Sequence, residues 1–557
     1  MKQKLNLIIL ALFLLLHQEA SACTNFLVTK GASKDGSTLI TYAADSHGLY
    51  GELYFQPAAN HSPGTMRKVY EWDTGKYLGE IPEVAHTYSV IGNMNEHQLA
   101  IAETTFGGRK ELSTQEGAIL DYGSLIYITL QRAKTARQAI EIMTQLVSNY
   151  GYYSSGESFS LSDKNEVWIM EMIGKGEGEK GAVWVARRVP EGYVSGHANQ
   201  ARITTISWND SENCLYSDDV MSFAQTKGWY EGNKKEFSFS DTYAPVDFGA
   251  ARFCDARIYA GFNKIKSGMK TYEAYAEGKV TYGKHNYATN RLPLWVKPDE
   301  KLSLKDVMEL MRDHYEGTSL DMTKDIGAGP YQLPYRWRNM TWEVDSVAYC
   351  HERATSTQQT AFSFVSQSRD WLPDAIGGIL WFGVDDTYST CYAPMYSSIT
   401  QTPECFRVGN GDMLTYSPTA AFWTFTKVSN FAYLRYAPMI KDVQAKQAEI
   451  EGKFIDFTPA IDLAAQKLYN EKGEQKAREF LTTYSVNEAN NMTAQWEQLF
   501  QYLLIKYMDG NVKKEENGQF LRTETGYAAY PDFPGYPQWW LKTIAESTGD
   551  KLKVIGE

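Results

Sequence analysis

The sequence predicts a protein of the α+β class, in which strands and helices mix up to about residue 440 and helices prevail afterwards. Two observations support this class. Short strand-like segments separated by turns begin at Thr24, and a helical pattern rich in Ala, Gln, Lys and Glu runs from Val443 to about Met508. With 43% hydrophobic and 13% aromatic residues, the chain can bury a large core and is not disordered in composition.

The first 22 residues have the three parts of a secretory signal peptide. Lys2 and Lys4 precede the apolar run from Leu7 to Leu16, and Ala20-Ser21-Ala22 forms a small-residue cleavage site. The apolar run is too short to span a bilayer of ~30 Å, and no later stretch is long enough. We therefore expect an exported protein, periplasmic or extracellular, whose mature chain begins with Cys23.

The charge of the mature chain limits its partners. Removal of Lys2, Lys4 and Glu19 leaves 53 basic and 66 acidic residues of the original 55 and 67, a net charge of −13. This balance argues against a nucleic-acid or anionic-membrane partner, and it leaves a homo-oligomer open. Five cysteines remain besides Cys23, so at most two disulfides can form among them; they are Cys214, Cys254, Cys350, Cys391 and Cys405.

The segment after Cys23 predicts a β-hairpin. Asn25 to Thr29 and Thr38 to Tyr42 are strand-like, and an Asp35-Gly36 turn lies between them. This places Cys23 at the edge of a sheet, with a partner strand that leads to Asp45.

Later segments alternate between helical and strand-like patterns. A helix is predicted from Thr135 to Tyr150, where Thr135 and Gln138 have capping-box spacing, and another from Leu304 to His314. The predicted strands are Gln98 to Thr104, Val167 to Ile173, Ala182 to Val189, Ala361 to Val365 and Gly377 to Phe382. The glycine-rich stretch 174–181 lacks the spacing of a phosphate-binding loop and predicts a hairpin tip. We divide the chain into a signal peptide (1–22), one domain (23–440) and a mainly helical extension (441–557).

The sequence lacks the motifs of several common enzyme classes. None of the nine histidines lies in a His-Glu-x-x-His pattern, no Gly-x-Ser-x-Gly elbow is present, and no Gly-x-Gly-x-x-Gly follows a strand. These absences disfavour a zinc hydrolase, a serine hydrolase and a dinucleotide-binding enzyme. A mature N-terminal Cys23 carries both a nucleophile and a base on one residue. Its thiol is the nucleophile, and its α-amine, with an ordinary pKa of ~7.7 to 8.0, can accept and return a proton.

Two other interpretations of Cys23 stay open at this point. It could be the lipid-bearing cysteine of a lipoprotein, although the strand at Phe26-Leu27-Val28 begins too early for the usual polar tether. It could also be an ordinary small buried residue. In either case the protein could be a non-catalytic envelope protein that binds peptides or glycans.

Several stretches carry a family resemblance. Cys23 to Val28, followed by Ala32 to Ile40, resembles the N-terminal signature of the family C69 dipeptidases, which are N-terminal-nucleophile hydrolases related to penicillin V acylase and bile salt hydrolase. Further matching stretches are Asn95 to Thr105, Gly196 to Arg202, Met311 to Thr318 and Trp381 to Asp385. The resemblance implies a four-layer αββα fold, hydrolysis of dipeptides or short peptides, and neither metal nor organic cofactor.

The resemblance also implies site residues. Asp45 falls where the family has an aspartate that binds the nucleophile's amine, Asn199 at the asparagine that stabilises the oxyanion, and Arg252 at an arginine near the nucleophile. Two positions depart from the pattern. Tyr42 replaces a common arginine, and Thr105 stands where bile salt hydrolases have an asparagine, so its backbone N–H would have to serve the oxyanion. The threonine favours a dipeptidase over a bile salt hydrolase. An acylase for non-peptide amides, such as bile salts or penicillin V, remains the alternative enzyme.

Overall fold

The structure, a computed structural model, describes residues 22–113 and 115–556. Except for Ala22, the predicted signal peptide lies outside the described residues. The strands are β1 (Ala22–Val28), β2 (Thr38–Asp45), β3 (Phe55–Gln56), β4 (Ala59–Asn60), β5 (Met66–Tyr70), β6 (Tyr77–Pro82), β7 (His86–Thr87), β8 (Val90–Ile91), β9 (Met94–Asn95), β10 (Ala100–Gly107), β11 (Gly156–Ser162), β12 (Val167–Gly174), β13 (Ala182–Arg188), β14 (Val194–His197), β15 (Cys214–Tyr216), β16 (Trp295–Val296), β17 (Thr341–Val344), β18 (Val347–Cys350), β19 (Thr360–Ser368), β20 (Gly378–Val384), β21 (Ala393–Tyr396), β22 (Glu515–Glu516) and β23 (Gln519–Phe520).

Helices follow and separate these strands. They are α1 (Tyr122–Leu130), α2 (Ala136–Tyr150), α3 (Ser222–Thr226), α4 (Phe239–Tyr243), α5 (Ala256–Ile265), α6 (Glu273–Ala276), α7 (Leu304–Leu310), α8 (Asp374–Gly377), α9 (Ala421–Tyr433), α10 (Tyr436–Lys472), α11 (Glu474–Tyr507) and α12 (Gln538–Thr548). A π-helix, Ala250–Asp255, leads directly into α5. The chain therefore has the predicted α+β composition. None of the helices in the described ranges is long and apolar enough to cross a membrane.

Two large antiparallel sheets form the centre of the molecule. The first has the strand order β16-β14-β1-β2-β19-β20-β21, and the second has the order β15-β13-β12-β11-β10-β9-β8-β3. His197, which is fully buried on β14, joins the sheets, because its ring nitrogens lie 2.7 Å from Thr104 Oγ1 of β10 and 2.7 Å from Ser160 Oγ of β11. Burial lowers the pKa of His197 to about 3, so the imidazole is neutral here.

Helices cover the outer sides of the sheets. Helices α1 and α2 pack on the second sheet, where Leu125, Met143 and Trp168 share one apolar core. The antiparallel pair α10 and α11 packs on α9 and on β21 of the first sheet, and Phe425 stacks on Trp496 with ring centroids 4.7 Å apart. The helical extension thus shares its core with the sheet next to it.

The structure confirms most predicted elements and shortens one. Thr135 accepts a hydrogen bond from the Gln138 N–H at the start of α2, and the glycine-rich stretch 174–181 is the tip of the β12–β13 hairpin. Ser303 caps α7 as expected, but the helix ends at Leu310 instead of His314. The reason is that Arg312 turns inward to the buried Glu451 of α10, 2.6 Å away.

The helical region and the cysteines also differ in detail from the sequence prediction. The predicted start of the extension at residue 441 falls inside α10, and the break between α10 and α11 is at Gly473, whose φ of 89° suits glycine. All six cysteines are unpaired, so none of the disulfides that the sequence allowed is present.

Candidate active site

Cys23 lies at the start of a central strand, with its thiol between the two sheets. It is the second residue of β1, opposite Ala44 of β2, and its side chain is 3% exposed. Its Sγ is 3.6 Å from Glu103 Oε1 of β10 and 3.7 Å from the Tyr42 hydroxyl of β2. The predicted pair Cys23 and Tyr42 is therefore in contact, and an acid that was not predicted stands beside it.

Arg257, at the start of α5, holds the main chain of Cys23. Its Nη1 donates to the Cys23 carbonyl oxygen at 2.7 Å and to Thr24 Oγ1 at 2.8 Å. Its Nη2 donates to Ala198 O at 3.0 Å and to Asn199 Oδ1 at 2.8 Å, and its Nε donates to Phe253 O at 3.1 Å. A guanidinium has five N–H groups, so all of them are used, and all of these acceptors are neutral.

Asn199 connects Cys23 to the second sheet. It has a positive φ of 64°, which asparagine tolerates better than most residues. Its Oδ1 accepts from the Cys23 N–H at 3.1 Å, and its Nδ2 donates to the Thr105 carbonyl oxygen at 2.7 Å. The predicted oxyanion residues Asn199 and Thr105 are thus in contact next to Cys23, and Asn199 binds its nitrogen.

A buried acid pair lies behind the thiol. Glu103 Oε1 accepts from the Tyr42 hydroxyl at 2.7 Å, and Glu157 Oε1 accepts from Thr105 Oγ1 at 2.9 Å. Thr105 pairs with Glu157 across β10 and β11, so Glu103 and Glu157 are diagonal neighbours on one face of the sheet. Burial raises the pKa of both carboxyls, and the Glu103 charge raises that of Glu157 further. Like charges this close do not both ionise, so the pair keeps one proton and one negative charge.

The surroundings of Cys23 favour a protonated thiol. Burial raises the pKa of Cys23 well above its usual value, and the charges of Glu103 and Asp45 raise it further. The hydrogen bond between Cys23 and Tyr42 lowers the thiol pKa and so acts in the opposite direction. A thiol in this environment needs a group that removes its proton before it can act as a nucleophile.

Asp45 lies at the end of β2, where Ala22 is its partner in register. Its Oδ1 accepts from Thr360 Oγ1 at 2.6 Å, while its Oδ2 is buried without a hydrogen-bond partner in the described structure. The Cys23 nitrogen binds Asn199 here, and not Asp45 as the resemblance implied, because it is a peptide nitrogen joined to Ala22. Burial raises the pKa of Asp45 to about 7.

Two arginines other than the predicted Arg252 lie close to Cys23 and Asp45. Arg252, in the π-helix, forms an ion pair with Glu352, and the guanidinium that contacts Cys23 belongs to Arg257. Arg353, which follows β18, lies close enough to Asp45 for each charge to shift the pKa of the other. The resemblance thus identified the correct segment for the cation next to Cys23, but not the correct residue.

Sequence reasoning missed Arg257, Glu103, Glu157 and Arg353 as site residues. Glu103 lies inside the stretch Asn95 to Thr105 that carried the resemblance, and an acidic residue in the middle of an apolar strand was a signal that could have identified it. The other three are charged residues whose sequence context gave no such signal. In the described ranges, no group of His, Cys, Asp and Glu is arranged to hold a metal ion.

Comparison with known proteins gives a family match. The model of peptidase family C69 matches residues 54–449, which is most of the chain. The chain belongs to peptidase family C69. It is accordingly an enzyme that hydrolyses peptide bonds, as the sequence resemblance predicted. The family match includes Glu103, Asn199, Arg257 and Arg353, and it begins after Asp45.

Three curated relatives extend the match. A protein of Latilactobacillus sakei named probable dipeptidase is 26% identical over 414 residues, covering 70% of this chain and 77% of its own. A probable dipeptidase B of Streptococcus pyogenes serotype M1 is 22% identical over 452 residues, 78% of this chain and 83% of its own. A probable dipeptidase of Salmonella dublin is 25% identical over 402 residues, 68% of this chain and 81% of its own.

Proposed function

We propose that this family C69 member is an exported cysteine-type dipeptidase, with Cys23 as the nucleophile after cleavage behind Ala22. The observation that carries the proposal is the clamp on the Cys23 main chain, in which Arg257 binds its carbonyl oxygen and Asn199 its nitrogen. Such a clamp fixes a residue that must be held still for attack, because orientation contributes much of the rate of an enzymatic reaction. The dipeptidase names of the relatives support the substrate class.

The reaction follows from the groups around the thiol. The Cys23 α-amine takes the Sγ proton as sulfur forms a bond to the scissile carbonyl carbon, and the resulting oxyanion is stabilised by Asn199. The carbon–nitrogen bond then breaks, and the α-ammonium returns the proton to the leaving amine. Water attacks the thioester, again with proton transfer to the α-amine, and release of the acid restores the thiol.

Asp45 has a defined part in this scheme. Its unpartnered Oδ2 lies at the end of the β1–β2 ladder, where a free Cys23 amine would replace the bond to Ala22. A carboxylate there would orient the amine toward the thiol. The two stacked sheets with helices on their outer sides support the four-layer N-terminal-nucleophile fold that this mechanism belongs to.

N-terminal sequencing combined with one substitution tests the proposal. We expect the mature protein to begin with an unmodified Cys23, and Cys23→Ala to fold while losing dipeptide hydrolysis. A Cys23→Ser variant should be slow, since a hydroxyl is much harder to ionise than a thiol. A diacylated Cys23, a different first residue, or dipeptide hydrolysis by Cys23→Ala would contradict the proposal. Preference for penicillin V or a conjugated bile salt over dipeptides would establish the acylase alternative.

A further inference from the structure

Arg353 is a half-buried residue whose guanidinium differs from those of the other arginines. Its Nε and Nη2 are both buried without a hydrogen-bond partner among the described residues, whereas each other arginine there has at most one such nitrogen. Arg257, which contacts Cys23, has all five N–H groups satisfied. Leaving a buried donor unsatisfied costs free energy, so two such donors on one guanidinium indicate a missing acceptor.

The position of Arg353 connects it to the nucleophile. The residue lies between β18 and β19, and the hydroxyl of Tyr315 donates to its carbonyl oxygen. Further along, Thr360 of β19 pairs with Asp45 and binds its carboxyl. Asp45 is in turn next to Cys23 on the β1–β2 ladder. Arg353 therefore belongs to the same end of the first sheet as the thiol.

Arg353 and Asp45 are neighbours that do not pair with each other. Each charge shifts the pKa of the other, yet no ion pair joins them in the part of the chain that the structure describes. Asp45 Oδ2 also lacks a partner there. Two opposite charges with unused hydrogen-bonding atoms are suited to a ligand with groups of both signs.

We propose that Arg353 binds the C-terminal carboxylate of the dipeptide. This inference rests on the proposed function and specifies how that site reads its substrate. Nε and Nη2 are the two nitrogens on one side of the guanidinium, which can donate two parallel hydrogen bonds to the two oxygens of a carboxylate. Arg257 cannot take this part because its donors are used, and Arg252 is paired with Glu352.

The length of the substrate follows from this arrangement. Once the Cys23 amine occupies Asp45, Arg353 is the neighbouring cation of the described residues with two unused donors for the substrate. In a dipeptide, the carboxylate is one residue beyond the scissile carbonyl, ~3.3 to 3.6 Å of extended chain. A tripeptide cleaved at its first bond moves the carboxylate one residue further, and a C-terminal amide removes its charge. Arg353 thus selects dipeptides with a free C-terminus.

The local charge supports binding of an anion. Burial and the neighbouring Arg257 and Arg338 charges lower the pKa of Arg353 to about 10, although the Asp45 charge raises it. A bound carboxylate would offset the repulsion among the three guanidinium groups, so substrate and site stabilise each other.

The test compares three substrates and three variants. For the wild-type enzyme we expect kcat/KM for Ala-Ala to exceed that for Ala-Ala-amide and for Ala-Ala-Ala by about 100-fold, the effect of a buried charge-assisted pair. Arg353→Gln should lower kcat/KM for Ala-Ala by about 100-fold, mainly through KM, and change that for Ala-Ala-amide less than about 3-fold. The kcat/KM of Arg353→Lys for Ala-Ala should lie between those of the wild type and Arg353→Gln. Arg522→Gln, at an exposed arginine, should match the wild type.

Two outcomes would overturn the inference while leaving the proposed function intact. One is a wild-type enzyme that cleaves Ala-Ala-amide as fast as Ala-Ala. The other is a folded Arg353→Gln variant whose kcat/KM falls by the same factor for Ala-Ala and for Ala-Ala-amide. That result would mean that Arg353 supports the structure of the site and does not bind the carboxylate. If that variant does not fold by circular dichroism, the wild-type comparison decides alone. Hydrolysis that survives Cys23→Ala would overturn the proposed function and this inference with it.

Discussion

Arg257 Nη1 donates a hydrogen bond of 2.7 Å to the carbonyl oxygen of Cys23. The bond joins the first turn of α5 to the first residues of β1, so a helix fixes the place of the Cys23 main chain on the sheet. Because the guanidinium also binds Asn199 Oδ1, one side chain controls both the thiol residue and the side chain that binds its nitrogen.

Arg257→Gln should reduce both stability and activity. The substitution leaves several buried acceptors without donors, so we expect a loss of about 3 kcal/mol in the free energy of unfolding and at least about 100-fold in kcat/KM. Denaturant unfolding and dipeptide hydrolysis measure the two effects. Arg252→Gln breaks only the partly exposed pair with Glu352 and should cost less than about 1 kcal/mol. A larger catalytic loss in Arg252→Gln than in Arg257→Gln would contradict the geometry.

Glu103→Gln should make the Cys23 thiol more acidic. The Glu103 charge is, after burial, the largest cause of the raised thiol pKa, and glutamine keeps the shape and an acceptor for Tyr42. We expect alkylation of Cys23 by iodoacetamide at pH 8 to become about 3- to 10-fold faster.

Tyr42→Phe is the matched variant for this measurement. It removes a hydrogen bond that lowers the thiol pKa, so alkylation of Cys23 should become slower. Peptide mapping by mass spectrometry must follow Cys23 alone, since Cys350 is partly exposed. Equal effects of the two substitutions, in the same direction, would show that the carboxylate does not control the thiol.

The buried His197 should make stability depend on pH. Its pKa is about 3 in the folded chain and near 6.5 when unfolded, so between these values only the unfolded state binds the proton. The stabilisation is fully present above pH 6.5 and is lost as pH falls toward 3, by at most roughly 4 kcal/mol. Chemical unfolding of wild type and His197→Gln between pH 4 and 8 measures the difference, which should shrink as pH falls. The exposed His86 provides the control, because His86→Gln should leave the pH dependence unchanged.

Local sequence signals predicted the elements that local interactions determine. Thr135 caps α2 and Ser303 caps α7, and both were evident from residues a few positions apart. The predicted end of α7 was wrong because the ion-pair partner of Arg312 is Glu451, which lies far along the chain on α10. A long-range ion pair leaves no trace in the neighbouring sequence.

The site was predictable only in part for the same reason. Cys23 and Tyr42 were placed together because they lie on adjacent strands of one hairpin. Glu103 and Glu157 become neighbours through the register of β10 and β11, which a single sequence does not specify. Arg257 is about one turn of π-helix beyond Arg252, and an α-helical spacing gives no reason to prefer it.

The pairing of β1 with β2 determines which face of the sheet the Cys23 thiol occupies. Cys23 faces Ala44, and side chains of a strand alternate between the two faces of its sheet. Inserting one residue between Thr24 and Leu27 would therefore turn the thiol away from β10, whereas inserting two would restore its side while shifting it along the strand. The chain can tolerate changes of length before the strand or after it, but within β1 only an even change keeps the thiol on the face where its partners lie.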